Sequence, residues 1–208
     1  MGGNVNLSQY AFNNRQKRYL QIKYTLDFFT ALILIVLLII PFLILSLIQK
    51  IAAPNEPVFF VQERIGQGGK SIRIIKFRTM KSSVDHYIPT NKAMQYAGDM
   101  TKLGKFLRDT SIDELPQLLH VLSGKMSLIG PRPLIPQEDN VHRMRKEAGV
   151  YQLRPGITGW AQVNGRDYVN DDEKVMFDRE YLEHLGFSID MKIFLKTIKL
   201  VFLRENIL

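Results

Sequence analysis

Residues 26–48 read LDFFTALILIVLLIIPFLILSLI, an apolar run whose single charge, Asp27, sits at its edge. The length matches the ~20 apolar residues a helix needs to cross the hydrocarbon core of a bilayer. A secretory signal has a shorter apolar region and a small-residue cleavage site, so this run reads as a retained anchor. Its flanks carry no one-sided charge bias: Arg15, Lys17, Arg18 and Lys23 precede it, and Lys50, Arg64 and Lys70 lie beyond it. A simple spanning helix is expected to show such a bias. Pro41 lies two-thirds of the way along and removes a backbone donor. Two geometries stay open: a proline-kinked spanning helix, and a re-entrant one that breaks near Pro41 and returns to the cytoplasmic face. The basic residues at both ends favour the second.

Around this anchor, 208 residues leave room for one compact catalytic-sized domain. The chain divides into a basic N-terminal segment (1–25), the membrane helix (26–50) and a domain over 51–208. A net charge of +8 implies an acidic partner, whether nucleic acid, anionic lipid or a phosphorylated substrate. With no cysteine, thiol catalysis, disulfides and cysteine-bound metals are excluded. The four histidines show no ligand spacing, which argues against zinc.

Val58–Ile65 and Ser71–Met80, both rich in β-branched and aromatic residues, flank Gly66–Lys70 and predict a β-hairpin. The glycine-rich turn resembles a phosphate loop only superficially, because it leads into a strand and not into a helix N-terminus. Lys76 and Arg78, two apart, leave one face of that strand. Residues 82–100 lack periodicity and read as a loop. A helix is expected from Ser111, with Glu114 in capping-box spacing, Leu115, Leu118, Leu119 and Leu122 as its apolar stripe, and Gly124 at its end. Two stiff turns come next, Gly130–Pro133 and Arg154–Gly156, the second running on through Trp160 to Arg166. At the C-terminus, Lys192, Lys196 and Lys199 share one face of a helix over Ile189–Leu203. Such a helix suits a membrane interface or a solvated face equally.

Arg108, Arg132, Arg154 and Arg166 lie in or beside short Gly- or Pro-marked segments, and arginine's planar fork suits phosphate. Asp113 and Glu114 fall in the first turn of the expected helix, where acidic residues mostly act as caps. The same dipole would hold Asp113 ionised, as a nucleophile or magnesium ligand must be.

Several ordered motifs then carry a resemblance. They are Lys23 with Asp27, Pro41, Pro57-Val58-Phe59-Phe60 with Gln62, Arg64 and Gly66, and Lys76-Phe77-Arg78-Thr79-Met80. Arg108, Ser111-Ile112-Asp113-Glu114-Leu115-Pro116-Gln117, Met126 to Pro133 and Arg154 to Arg166 complete the set. Over Lys23 to about Lys199 the chain resembles the monotopic phosphoglycosyl transferases, bacterial sugar transferases that initiate glycan assembly on a lipid carrier. The resemblance implies an α/β (α+β) fold. A small cytosolic catalytic domain with a β-hairpin and interfacial amphipathic helices would be anchored to the bacterial cytoplasmic membrane by a re-entrant helix.

It also implies that Asp113 attacks the β-phosphate of a UDP-sugar, that UMP leaves, and that undecaprenyl phosphate takes the sugar phosphate. Mg2+ on Asp113 would be the cofactor, Glu114 a supporting group, and Arg108, Arg132, Arg154, Lys76 and Arg78 phosphate-binding cations. The lipid bilayer and downstream glycosyltransferases would be its partners, and no nucleic acid. Two positions depart from the pattern: Ile40 stands where relatives often have serine before the proline, and Tyr24 succeeds Lys23 where an arginine is common. The competing reading is a non-enzymatic scaffold on anionic lipid; for a nucleic-acid binder there is no recognisable module.

Overall fold

The structure, a computed structural model, describes residues 10–82, 100–165 and 169–203. The apolar run lies inside a single helix, α1 (Asn14–Ala52), begun by a capping box between Asn13 and Gln16. At 39 residues it is ~58 Å long, nearly twice a hydrocarbon core. The expected break near Pro41 is absent: the helix continues through it. Proline costs a helix interior ~3 kcal/mol, and here packing on both sides offsets it. Leu38 lies on the core cluster around Ala31, and Phe42 meets Phe77 edge-on at 5.5 Å.

One stripe of α1 is docked on the rest of the molecule along its whole length. Gln16 Nε2 donates to Leu182 O (3.2 Å), Lys23 pairs with Asp190 (2.7 Å), Ser127 Oγ donates to Asp27 (2.6 Å), and Gln49 Nε2 donates to Arg78 O (2.9 Å). The opposite stripe is bare hydrocarbon, with Leu26, Leu37, Leu43 and Ile51 all 60–70% exposed. By length and composition this helix could cross a membrane, yet both its ends belong to one domain.

The hairpin is as expected, with β1 (Phe59–Ile65) antiparallel to β2 (Ser71–Phe77). Gly68 and Gly69 take φ of 71° and 72° in its turn, a region only glycine enters cheaply. Then come α2 (Lys102–Asp109), a 3₁₀ segment (Ile112–Gln117) and α3 (Leu118–Leu122). The helix expected from Ser111 is corrected in detail. Ser111 is left-handed (φ 58°), its side chain caps nothing, and a tighter 3₁₀ turn precedes the α-helix. Pro116 lacks the N–H that an α-helix over this segment would use.

His120 on α3 ties that helix to β2 by accepting from Ile75 N (3.1 Å). This bond needs a neutral ring, and burial, helped by Lys125, pushes its pKa down. The unfolded chain therefore protonates first, so stability held above pH ~6.5 is lost as pH falls below it. A thermal-unfolding series from pH 7.5 to 5.5 should show a steeper fall for the wild type than for His120→Gln.

Two short parallel strands, β3 (Ser127–Ile129) and β4 (Gly156–Thr158), bring the two stiff turns together. Their contact demands glycine: a Cβ on Gly156 would lie 2.1 Å from Gly130 N, and one on Gly159 would lie 2.1 Å from Gly130 O. α4 (Asp139–Glu147), α5 (Trp160–Gly165), α6 (Asp171–Glu183) and α7 (Phe187–Leu203) complete a mixed fold of many helices and small sheets. Trp160–Asn164, expected as part of a turn, forms α5 because β4 and Gly159 return the chain onto the core formed with α6 and α7. The loop expected over 82–100 lies, apart from its ends, outside the described residues, as does Arg166.

α7 divides its circumference three ways. Ile189, Asp190 and Ile193 are buried. Phe187, Phe194 and Leu195 are at least half exposed, and the three lysines form a separate exposed strip. Lys196 sits 4.7 Å over the Trp160 ring. Asp190 faces α1, where it meets Lys23 and Tyr19 (both 2.7 Å).

Candidate active site

The 3₁₀ segment delivers Asp113 and Glu114 beneath the hairpin. Residues of such a helix project about 120° apart, and the two carboxylates diverge accordingly. Glu114 Oε1 receives Lys76 Nζ at 2.5 Å and Arg132 Nη2 at 3.4 Å. Lys76 comes from β2 and Arg132 from the turn after β3, so one carboxylate joins three elements. Burial works against ionising Glu114, but Lys76, Arg132 and Arg64 outweigh it and hold its pKa at about 2. Asp113 is 8% exposed. Among the described residues it receives no hydrogen bond. Burial raises its pKa to about 6; Lys76, Arg108 and Arg132 pull down and neighbouring Glu114 pushes up. At neutral pH it is therefore an anion held by surrounding cations without being bonded to them.

The Arg132 turn is itself braced. Arg145, 1% exposed, donates to Arg132 O (2.8 Å) and is paired with Asp178 (2.5 Å), also 1% exposed. Arg64 is fixed by Gln62 Oε1 (2.9 Å from Nε) and reaches Pro133 O (3.4 Å), while Ile65 N donates to Leu134 O (2.9 Å). Gln62 and Arg64 alternate along β1, and that period-2 pattern is the signal that would have placed them on the site-facing side. Arg145 and Asp178 carry no local signal, since their pairing is purely tertiary.

The expected cations thus separate into two groups. Lys76, Arg108 and Arg132 surround the carboxylates. Arg78 does not join them: its guanidinium donates to Pro57 O (3.0 Å) and covers the Phe60 ring, because β2 ends at Phe77 and the strand's alternation ends with it. Arg154 lies on the Tyr24 ring of α1 at 4.0 Å, away from Glu114's partners. No group of three or more acidic or histidine side chains that could hold a metal occurs among the described residues. Magnesium suits this arrangement differently, since it is commonly held by one or two carboxylates plus substrate phosphates. Asp113, buried and unbonded, offers one such carboxylate.

The chain thus combines a buried carboxylate ringed by cations with a helix long and apolar enough to cross a membrane. Residues 18–204 match the family described as Bacterial sugar transferase, and the chain belongs to it. It is 40% identical over 156 residues to an uncharacterized sugar transferase of Bacillus subtilis (strain 168), covering 74% of each chain. It is 41% identical over 173 residues to the UDP-glucose:undecaprenyl-phosphate glucose-1-phosphate transferase of Escherichia coli (strain K12), covering 79% of this chain and 37% of that one. A UDP-N-acetylgalactosamine-undecaprenyl-phosphate N-acetylgalactosaminephosphotransferase of Aeromonas hydrophila shares 37% over 194 residues, 88% of this chain and 44% of that one. The chain therefore spans less than half of the last two relatives.

Proposed function

We propose that this protein transfers a sugar 1-phosphate from a UDP-sugar to undecaprenyl phosphate, as a membrane step of glycoconjugate assembly. The observation that carries this reading is the unequal pair, with Glu114 locked to Lys76 and Arg132 while Asp113 is buried, unbonded and ionised at neutral pH. In the first step an Asp113 oxygen attacks the β-phosphorus. The new P–O bond replaces the one to the bridging oxygen, which leaves with UMP. In the second step an oxygen of the lipid phosphate attacks the same phosphorus and frees the Asp113 carboxylate, giving a lipid diphosphosugar.

Lys76, Arg108 and Arg132 supply fixed positive charge where phosphate oxygens gather negative charge, the main source of catalysis in phosphoryl transfer. Glu114 serves by holding Lys76 and Arg132 in place. Bound at Asp113 and the diphosphate, Mg2+ would add neutralising charge for the leaving phosphate. With protein in nanodiscs, undecaprenyl phosphate, magnesium and a panel of UDP-sugars, at least one sugar should release UMP. Silence across a broad panel would sink the reading.

The docking of both ends of α1 on one domain supports a monotopic disposition, with the helix lying in one leaflet. The chain has no cysteine, so an introduced thiol is unique. In sealed membrane vesicles Arg15→Cys and Asn55→Cys should react with an impermeant maleimide from the same side. Labelling from opposite sides would mean that α1 spans.

A further inference from the structure

Arg154 is, with Arg78, one of two expected phosphate cations that the site leaves out. Its guanidinium carbon lies over the Tyr24 ring, 4.0 Å from the centroid. Gly124 covers it, since a Cβ there would stand 3.6–3.7 Å from its terminal atoms. Its backbone N–H donates to the Tyr24 hydroxyl (3.2 Å), which fixes the stack from a second direction. No carboxylate among the described residues pairs with it. The two acids of the same stretch of α1 and α7 are already engaged, Asp27 by Ser127 and Asp190 by Lys23, Tyr19 and Tyr181. Its Nε is buried without a hydrogen-bond partner. A planar cation held between a ring and a glycine presents only its N–H edge, the edge that reads phosphate oxygens in bidentate fashion. Lys125, next to Gly124, is exposed and adds a second positive charge.

The place of this group on α1 identifies what meets it. Tyr24 is half-buried at the border between the docked stripe, with buried Lys23 and Asp27, and the bare one, where Phe28, one turn on, is 42% exposed. If that hydrocarbon is in acyl chains, the Arg154 edge lies at the level of lipid phosphates. We propose that Arg154, stacked on Tyr24, is the binding point for the phosphate of a membrane lipid, at a site separate from the Asp113–Glu114 pair. A bilayer phospholipid and a polyprenyl phosphate both present this chemistry.

The test is lipid retention and needs no turnover, so it stands or falls independently of the transfer reaction. Full-length protein in phosphatidylcholine nanodiscs containing either a little phosphatidylglycerol or a little undecaprenyl phosphate is ejected for native mass spectrometry. The wild type should keep at least one of the two anionic lipids in preference to phosphatidylcholine, and whichever it keeps names the source. Arg154→Gln should reduce that retention about tenfold, as expected for loss of one charge-assisted pair. Asp113→Asn should retain it fully, and UDP-sugar should not displace it. Equal retention by Arg154→Gln, no anionic preference in the wild type, or displacement by UDP-sugar overturns the proposal. Should Arg154→Gln not fold, Arg154→Lys is read in its place: it keeps the charge without the planar fork and should still lose most of the retained lipid.

Discussion

Asp113→Asn is expected to abolish sugar-phosphate transfer while making the folded protein more stable. Removing a nucleophile typically costs at least ~10³-fold in turnover. Asparagine keeps the shape and size of the side chain, so the loss measures the missing anion and not a collapsed site. Stability moves the other way because the wild-type carboxylate is ionised at a cost: burial raises its pKa from 3.8 to about 6. The folded state therefore binds this proton more tightly than the unfolded chain. Stability present below pH ~3.8 is lost as pH rises through about 6, and a shift of two units corresponds to ~3 kcal/mol. Asparagine mimics the protonated form and should recover up to that amount at pH 7.5, with the advantage vanishing near pH 4. Thermal midpoints measured without divalent cations or substrate check the sign. Full transfer activity in the variant would remove Asp113 from the nucleophile's place, and an unchanged midpoint would show that the site is wetter than its burial implies.

The same pair shows what is legible in the sequence and what is not. The motifs single out Asp113 and Glu114, and name Lys76, Arg108 and Arg132 as phosphate cations, while spacing alone favours a cap; the structure brings these five together. The reason Asp113 is ionised is not legible. A helix dipole is the expectation from its position, yet Ser111 is left-handed and caps nothing, and the segment is a 3₁₀ turn. Asp113 stays charged because three cations pull against burial, a balance among residues far apart in the chain that no local pattern encodes. The hairpin is legible because strand alternation and turn glycines are local. The unbroken α1 is not legible, because Pro41 signals a break, and only docking at Leu38 and Phe42 shows why the helix persists.

Asp178→Ala is expected to cost ~3–5 kcal/mol of stability. The cause is not that the Arg145–Asp178 bridge contributes so much. Burial raises the Asp178 pKa even against the pull of Arg145, so desolvating the pair consumes most of its Coulombic gain. What is expensive is stranding Arg145, 1% exposed, without an anion. The double variant Arg145→Met with Asp178→Leu removes both charges and should regain most of the loss, since apolar replacements of buried pairs are often neutral or stabilising. Its activity should not return with its stability. Arg145 also donates to Arg132 O, and without that bond the turn presenting Arg132 to Glu114 loses a brace. Unfolding midpoints and transfer rates measured on both variants separate the two roles. Stability and activity recovering together would mean that Arg145 only packs, whereas recovery of stability alone assigns it to positioning Arg132.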